Sequence, residues 1–452
     1  MSKLPSTWID VEIGEIAEVI GGGTPKANDV ENFTAPGEGI AWLTPADLSG
    51  YKRKEIAFGA RDLTLQGYKS CSAKLMPKGS LLFSSRAPIG YVAVAANEIA
   101  TNQGFKSFVL SHDIDPSYAF YYLKSIRQLA DSLGTGTTFK EISGATAKTL
   151  PFRLAPTVEQ TRIAAKLDEL LAKVDTLKAR IDGIPALLKR FRHSVFAVAV
   201  SGHLTEKWRL SLNTSKPLAS WKNCKIGDIS SLVTSGSRGW ADYYSDSGAI
   251  FIRSQDINTD ELEISDTAFV KLPDSSEGKR TRVQYQDILL TITGANVGKV
   301  ARVKQQIPEA YVSQHVALVR LYKPEYAPFI ELFLKDIGSG RGILLDLAYG
   351  GGKPGLNLSN IRDLLLPLPP IDEQIEIIRR VEQLFAFADQ LEAKVTKAQS
   401  RIDLLTQSIL AKAFRGKLVP QDLNDEPASV LLERIKAKRA VPPKVKRRSK
   451  SS

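Results

Sequence analysis

Residues 157–200 contain the stretch that decides the fold, TVEQTRIAAKLDELLAKVDTLKARIDGIPALLKRFRHSVFAVAV. Apolar residues recur along it at alternating steps of four and three, from Ile163 to Val198. This heptad pattern is typical of a long helix that buries one face against a second helix. Pro185, which follows Gly183, predicts a kink near the middle of this helix.

The same pattern returns 214 residues later in the chain, from Ile377 to Ile409. Glu159-Gln160 at the start of the first helix matches Glu373-Gln374 at the start of the second, and Gly202 and Gly416 stand where both should end. Two matched seams in one chain most simply pack against each other, and the antiparallel arrangement is favoured over the parallel one. The seam residues are Ile163, Leu167, Leu170, Val174, Leu177, Ile181, Ile184 and Leu188 in the first helix, and Ile377, Val381, Leu384, Leu391, Val395, Ile402 and Leu405 in the second.

The repeat extends upstream of each helix. Trp8-Ile-Asp-Val-Glu-Ile-Gly-Glu-Ile returns as Trp221-Lys-Asn-Cys-Lys-Ile-Gly-Asp-Ile. Short β-rich runs separated by Gly, Pro and Asn follow both copies, which predicts two similar α+β domains. The predicted segments are a first globular domain (1–155), a long helix with linker (156–212), a second globular domain (213–369), a second long helix with a docking segment (370–436) and a disordered basic tail (437–452).

Composition limits the possible classes of protein. The 452 residues are 43% apolar, which is enough for more than one core, and no apolar run is long enough to cross a bilayer. Two distant cysteines, Cys71 and Cys224, exclude a disulfide scaffold and give no zinc-ligand spacing. We therefore expect a soluble, cytoplasmic protein without a bound metal.

The net charge of +12 points to a polyanionic partner. Nine basic residues and no acidic ones lie between Arg434 and Lys450, although this run could also serve solubility alone. Both predicted globular domains are close to neutral. Their candidate nucleic-acid contacts are Lys52, Arg53, Lys54, Lys69, Lys74 and Arg86 in the first, and Arg238, Arg253, Lys279, Arg280, Arg282 and Lys299 in the second.

Sequence signals for catalysis are weak throughout the chain. Asp115-Pro-Ser-Tyr118 imitates an amino-methyltransferase motif but is better interpreted as a helix start. Residues 293–300, TGANVGKV, are one residue short of a phosphate-binding loop and lack its hydroxyl. The acidic residues around Asp274 lie in one polar run, unlike a nuclease site. No catalytic residue is predicted.

Taken together, these motifs resemble the DNA-specificity subunit of type I restriction–modification enzymes. The resemblance rests on the two Trp-led openings, the two Glu-Gln helix starts, the duplicated plan, and the segment from Lys412 to Ile435. It implies two target-recognition domains that each bind one half of a divided, asymmetric site in double-stranded DNA, separated by the paired helices as a spacer.

The resemblance also implies partners. Two methyltransferase subunits would dock on the helices, and restriction–translocase subunits would attach to the methyltransferase subunits. S-adenosylmethionine, ATP and magnesium would then bind to these partner subunits only. The alternatives are a self-sufficient DNA methyltransferase or nuclease, and a coiled-coil bridging protein unrelated to DNA modification. Neither the recognised bases nor the spacer length can be derived from the sequence.

Overall fold

The structure is a computed structural model that describes residues 4–86, 88–136, 140–212, 221–236, 239–272, 280–349 and 354–440. The chain forms two compact units, unit 1 (Met1–Ile181 with Ala398–Ser452) and unit 2 (Asp182–Lys397). Each unit contains one α+β module and a part of both long helices. Within the described residues, no helix combines the length and apolar character needed to span a membrane.

Module one, in unit 1, is built on a five-stranded sheet. Its strands are β1 (Ile9–Glu12), β2 (Ala17–Gly21), β3 (Phe33–Thr34), β4 (Trp42–Leu43), β5 (Glu55–Ile56), β6 (Asp62–Leu63), β7 (Leu81–Phe83), β8 (Val92–Ala95), β9 (Ala100–Thr101), β10 (Lys106–Leu110) and β11 (Pro151–Leu154). Its helices are α1 (Ile13–Ile16), α2 (Leu65–Lys69), α3 (Pro116–Ser125), α4 (Arg127–Ser132) and α5 (Gly144–Lys148). The sheet has the order β2-β10-β7-β8-β5, while β1 pairs with β11, β3 with β6, and β4 in parallel with β9. The buried strand β7 lies in the middle of the sheet, as its uninterrupted apolar sequence requires.

Three helices follow module one. They are α6 (Thr157–Asp182), α7 (Ile184–Val200) and the short α8 (Glu206–Ser211). The helix is interrupted at Gly183, where the kink was predicted, because Pro185 cannot donate the backbone hydrogen bond that would continue α6. Gly202 ends α7 in the left-handed conformation, with φ of +78°.

Module two, in unit 2, repeats the plan of module one. Its strands are β12 (Lys222–Lys225), β13 (Ser230–Ser235), β14 (Tyr244–Ser245), β15 (Ala249–Ile252), β16 (Ala268–Val270), β17 (Ile288–Thr291), β18 (Val300–Arg302), β19 (Ala310–Val312), β20 (Val316–Leu321) and β21 (Leu365–Leu368). Its helices are α9 (Ile226–Ile229), α10 (Ala327–Lys335), α11 (Gly340–Leu347) and α12 (Leu358–Arg362), followed by α13 (Ile371–Ala413) and α14 (Ala428–Ala440). The order β13-β20-β17-β18 matches β2-β10-β7-β8, and in both modules the first strand pairs with the last. The predicted pair of similar α+β domains is confirmed.

The long helices pair in antiparallel orientation within each unit. In unit 2, Phe196 of α7 packs edge-on against Phe385 of α13 at 5.2 Å between ring centroids, and Arg192 pairs with Asp389 at 2.6 Å. In unit 1, Lys178 of α6 pairs with Asp403 of α13 at 2.8 Å. The helices also complete the module cores, since Ile163 and Ile377 are fully buried in them.

Two residues that were predicted to lie in the buried seam between the long helices are exposed, so these two predictions are wrong. Leu177 and Leu405 are 47% and 45% exposed, whereas Val174 and Ile402 beside them are buried. A straight helix drifts by about 20° per heptad away from a strict seven-residue repeat, so some seam positions rotate outward.

The recurring Glu-Gln pairs are explained by one buried hydrogen-bond arrangement found in both units. In unit 1, Trp8 Nε1 donates to Glu159 Oε2 at 2.8 Å, and Gln160 Nε2 donates to the Ala155 carbonyl at 2.8 Å. Gln421, beyond the end of α13, donates to the other oxygen of Glu159. Burial raises the pKa of Glu159, which these donors oppose.

Unit 2 contains the same arrangement with a charged donor. Trp221 Nε1 donates to Glu373 Oε2 at 2.9 Å, and Thr205 Oγ1 donates to Glu373 Oε1 at 2.7 Å. Arg209 of α8 forms an ion pair with the same carboxylate. In each unit, the segment that leaves one long helix is therefore fastened to the start of the other.

The C-terminal end of unit 1 corrects one predicted boundary. Helix α14 continues to Ala440, four residues into the segment predicted to be a disordered tail, and buries Leu431 and Ile435 against module one. Lys438 pairs with Asp113 at 2.8 Å, and Arg439 donates to the Gly14 carbonyl at 2.9 Å. The rest of the predicted tail, 441–452, lies outside the described residues.

Candidate nucleic-acid interface

Four loops of module one meet beyond the ends of β2, β4, β7 and β9. We call the residues 22–25, 43–46, 84–86 and 101–104 the loop edge of module one. Gly23 donates its backbone N–H to the Thr101 carbonyl at 2.9 Å, and Ser85 donates to the Gly104 carbonyl at 2.8 Å. A Cβ on Gly22 would lie 1.9 Å from the Asn102 carbonyl oxygen, so only glycine permits this approach.

Module two has the same construction. Its loop edge comprises the described residues among 235–239 with 252–255, 292–296 and 312–315. Gly236 donates to the Ser313 carbonyl at 3.3 Å, and Ile292 donates to the His315 carbonyl at 2.9 Å. A Cβ on Gly236 would lie 2.1 Å from the Val312 carbonyl oxygen. The repeat therefore supplies two equivalent frameworks that can each present different side chains.

The loop edge of module two surrounds a concave pocket of about 350 Å³. Trp240 and Phe251 stack at 5.3 Å between ring centroids and form a rigid wall. The pocket is lined by Gly239, Trp240, Tyr244, Phe251, Arg253, Ser254, Gln255, Ser313, Gln314 and His315. Arginine, glutamine and histidine beside aromatic rings are side chains suited to base edges and phosphates.

In module one, Phe33 and Trp42, which match Tyr244 and Phe251 by their strand pairings, carry a cation. The Arg61 guanidinium lies 3.6 Å from the ring centroid of Phe33 and 5.6 Å from that of Trp42. Trp42 Nε1 donates to the Gly23 carbonyl at 3.1 Å, which ties this stack to the loop edge. Sequence reasoning missed Arg61, because the pairing of β3 with β6 that brings it to Phe33 joins residues about 30 positions apart and leaves no local signal.

Buried hydroxyl groups at both loop edges lack partners. Ser85 Oγ and Thr101 Oγ1 in module one, and Ser313 Oγ in module two, form no hydrogen bond with any part of the chain that the structure describes. Buried polar groups are usually paired, so each of these hydroxyls is available to a bound ligand or water. Five other unpaired buried atoms lie outside the loop edges in the described chain, on Asp62, Asn97, Ser107, Thr291 and Gln374, so the unpaired hydroxyls alone do not mark the edges as a binding surface.

The predicted DNA contacts are only partly brought together. Arg86 and Arg253 lie on the two loop edges, each beside a carboxylate, Glu141 at 3.8 Å and Asp256 at 3.0 Å. Arg280 donates to Thr234 Oγ1 at 2.7 Å near the end of β13. Lys54 instead forms an ion pair with Asp168 of α6 at 2.8 Å, so it fastens the module to the helix. We therefore remove Lys54 from the proposed interface.

The remaining candidates are scattered or cannot be placed. Lys299 lies 3.6 Å from Asp260, which offsets its charge. The side chains of Lys52, Arg53, Lys69, Lys74 and Arg282 are exposed but lie outside the residues of the two loop edges. Arg238 and Lys279 lie outside the described residues.

Two of the motifs that suggest catalysis have structural explanations, and the acidic run around Asp274 lies outside the described residues. Asp115 accepts hydrogen bonds from the backbone of Ser117 and Tyr118 and caps α3, as predicted. Residues 293–298 form the turn between antiparallel strands β17 and β18, whereas a phosphate-binding loop leads into a helix. Across the described ranges, no three His, Cys, Asp or Glu side chains are grouped to hold a metal ion.

Comparison with known proteins identifies the family to which the two modules belong. The family model described as "Type I restriction modification DNA specificity domain" matches the chain twice, at residues 5–186 and 219–398. The chain belongs to this family. It is 30% identical over 461 residues to the type I restriction enzyme EcoKI specificity subunit of Escherichia coli K12, covering 97% of both chains. It is 36% identical over 340 residues to the EcoBI specificity subunit of Escherichia coli, covering 71% of this chain and 70% of that one.

Solved structures support the fold. The HsdS subunit of Thermoanaerobacter tengcongensis matches with a TM-score of 0.59 at 18% identity, covering 92% of this chain and 98% of that chain. A structure described as the basis of "complex assembly and conformational transition of the type I R-M system" also matches with a TM-score of 0.59, at 16% identity. The protein is thus a type I specificity subunit, a non-catalytic component that gives the complex its DNA sequence specificity.

Proposed function

We propose that this specificity subunit recognises a divided, asymmetric site in double-stranded DNA, with one half-site for each module. The observation that carries the proposal is the duplicated loop edge. The two edges share glycine approaches and strand pairings, as at Gly22 and Gly236, yet expose different side chains. An asymmetric DNA site requires two modules that share one framework but present different side chains to the bases.

In this proposal, the paired helices serve as spacer and as docking surface for two methyltransferase subunits, to which restriction–translocase subunits then attach. S-adenosylmethionine, ATP and magnesium belong to those partners. The proposal places the protein in the cytoplasm, in agreement with the two free cysteines, Cys71 and Cys224.

Reconstitution with the methyltransferase subunits of the same system tests this function. Sequencing of the methylated DNA is expected to give two short, different motifs separated by a spacer of fixed length. The specificity subunit alone is expected not to bind labelled S-adenosylmethionine. Binding of that cofactor by the isolated chain, or methylation of one continuous motif, would contradict the proposal.

A further inference from the structure

The two loop edges can be compared position by position because their strand pairings match. Leu43 faces Thr101 in the parallel pair of β4 with β9, and Ile252 faces Val312 in the parallel pair of β15 with β19. Counting forward from these pairs gives one identical position, where Gln103 matches Gln314. Five further positions differ: Thr44 matches Arg253, Pro45 matches Ser254, Ala46 matches Gln255, Asn102 matches Ser313, and Gly104 matches His315. Of these, Arg253, Gln255 and His315 are the ones at which module two has a larger polar side chain than module one.

The difference at His315 is built into the packing. In module one, a Cβ at Gly104 would lie 2.8 Å from Cγ of Pro45, so a side chain there would clash with the ring. Module two has Ser254 in place of that proline, and His315 lines the pocket. Module one therefore requires glycine at this position, whereas module two accommodates the side chain of histidine.

Arg253 is held in place for contact with a ligand. Its Nη2 donates to Asp256 Oδ1 at 3.0 Å and to the Asp266 carbonyl at 2.9 Å, and its Nε donates to Asp256 Oδ2 at 3.2 Å. Within the described chain, no acceptor is bonded to its Nη1. A fixed guanidinium loses little conformational freedom when it binds, which favours selective recognition.

We propose that Arg253, Gln255 and His315 are the base-reading residues of module two. The identical Gln103 and Gln314 contact a feature common to both half-sites, the phosphate backbone. Arginine donates well to the guanine acceptors O6 and N7, and glutamine matches the acceptor and donor edge of adenine. The proposal rests on the proposed function, because it assumes that module two binds one half-site.

The test replaces the three proposed base-reading residues of module two with the residues at the matching positions of module one. Arg253→Thr, Gln255→Ala and His315→Gly are introduced singly and together into the complete complex with its methyltransferase subunits. Threonine suits the first position because Thr44 Oγ1 already bonds Asp47, the counterpart of Asp256, at 2.8 Å. Lys323→Thr, an exposed change beyond the opposite end of β20, is the matched control.

Two readouts are measured, the methylated motif and competition by duplexes with single base changes. The variants are expected to lose about 10- to 100-fold of the discrimination at positions of one half-site only, with Arg253→Thr acting at a G·C pair. Discrimination at the other half-site is expected to stay unchanged, which would show that the variant complex is folded. Gln103→Ala and Gln314→Ala are expected to weaken binding to all duplexes alike without changing the motif.

Three results would overturn the proposal. They are unchanged discrimination in every reader variant, relaxed positions in both half-sites, and weaker binding to all duplexes at unchanged discrimination, which would mark these residues as phosphate contacts. A wild-type complex that methylates no divided site would instead refute the proposed function.

Discussion

Glu373 is expected to contribute more to stability than its counterpart Glu159, because their partners differ in charge. Glu373→Ala leaves Arg209, 8% exposed, as an uncompensated buried cation. Removing one partner of a buried ion pair costs about 3–5 kcal/mol. Glu159→Ala leaves two neutral donors, on Trp8 and Gln421, and an unsatisfied buried group of this kind costs about 1–3 kcal/mol.

The two costs differ by about 2 kcal/mol, which is roughly a 30-fold difference in the equilibrium for local opening. Hydrogen exchange followed by mass spectrometry on the full chain measures this opening, in the peptides that contain α8 and β12 for Glu373→Ala and in those that contain β1 for Glu159→Ala. Glu206→Ala, an exposed change on α8, is the control.

The cause is tested by a double variant. Adding Arg209→Leu to Glu373→Ala removes the orphaned charge and is expected to restore most of the lost protection. Equal losses in Glu373→Ala and Glu159→Ala, or a double variant less protected than Glu373→Ala alone, would refute the reasoning.

Three further predictions concern the helices and the C-terminus. Deleting the facing heptads 174–180 and 401–407, around the Lys178–Asp403 contact, keeps both helices in phase and removes about 10 Å of coil. The spacer in the methylated site should shorten by about one to three base pairs, and an unchanged spacer would leave the helices as a docking surface only. Truncation after Ala440 should weaken DNA binding and its salt dependence without altering the motif, measured by titration at several salt concentrations, and a new motif would mean that the tail reads bases. Lys438 lowers the pKa of Asp113, so this ion pair stabilises the docking of α14 at neutral pH and its contribution is lost as the pH falls below about 4; hydrogen exchange in α14 should rise there, and Lys438→Ala should reduce that dependence.

The long helices were predictable because heptad spacing is a local property of the sequence. The same pattern could not reveal that Leu177 and Leu405 are exposed. Their exposure depends on what else packs against the two helices at these positions, which heptad spacing does not encode. The basic composition of the C-terminus concealed α14, although Ala428, Leu431 and Ile435 already have the spacing of an apolar helix face.

The candidate site was less accessible from the sequence. Loops separated by up to 80 residues meet only because β4 pairs with β9 and β15 pairs with β19, and such distant pairings leave no local signal. Counting basic residues therefore selected Lys54, which stabilises a helix contact, and overlooked His315 and Gln255. Aligning the repeat by its strands identifies positions that charge alone cannot.

Exchange of module two tests the central claim most directly. The paired strands β12 and β21 bring the ends of this module together, so residues 222–368 can be replaced by the matching module of another family member. Methylated DNA from the complete hybrid complex is then sequenced. We predict that one half-site changes to that of the donor while the other half-site and the spacer stay the same. A hybrid that changes both half-sites, or neither, would contradict independent recognition by the two modules.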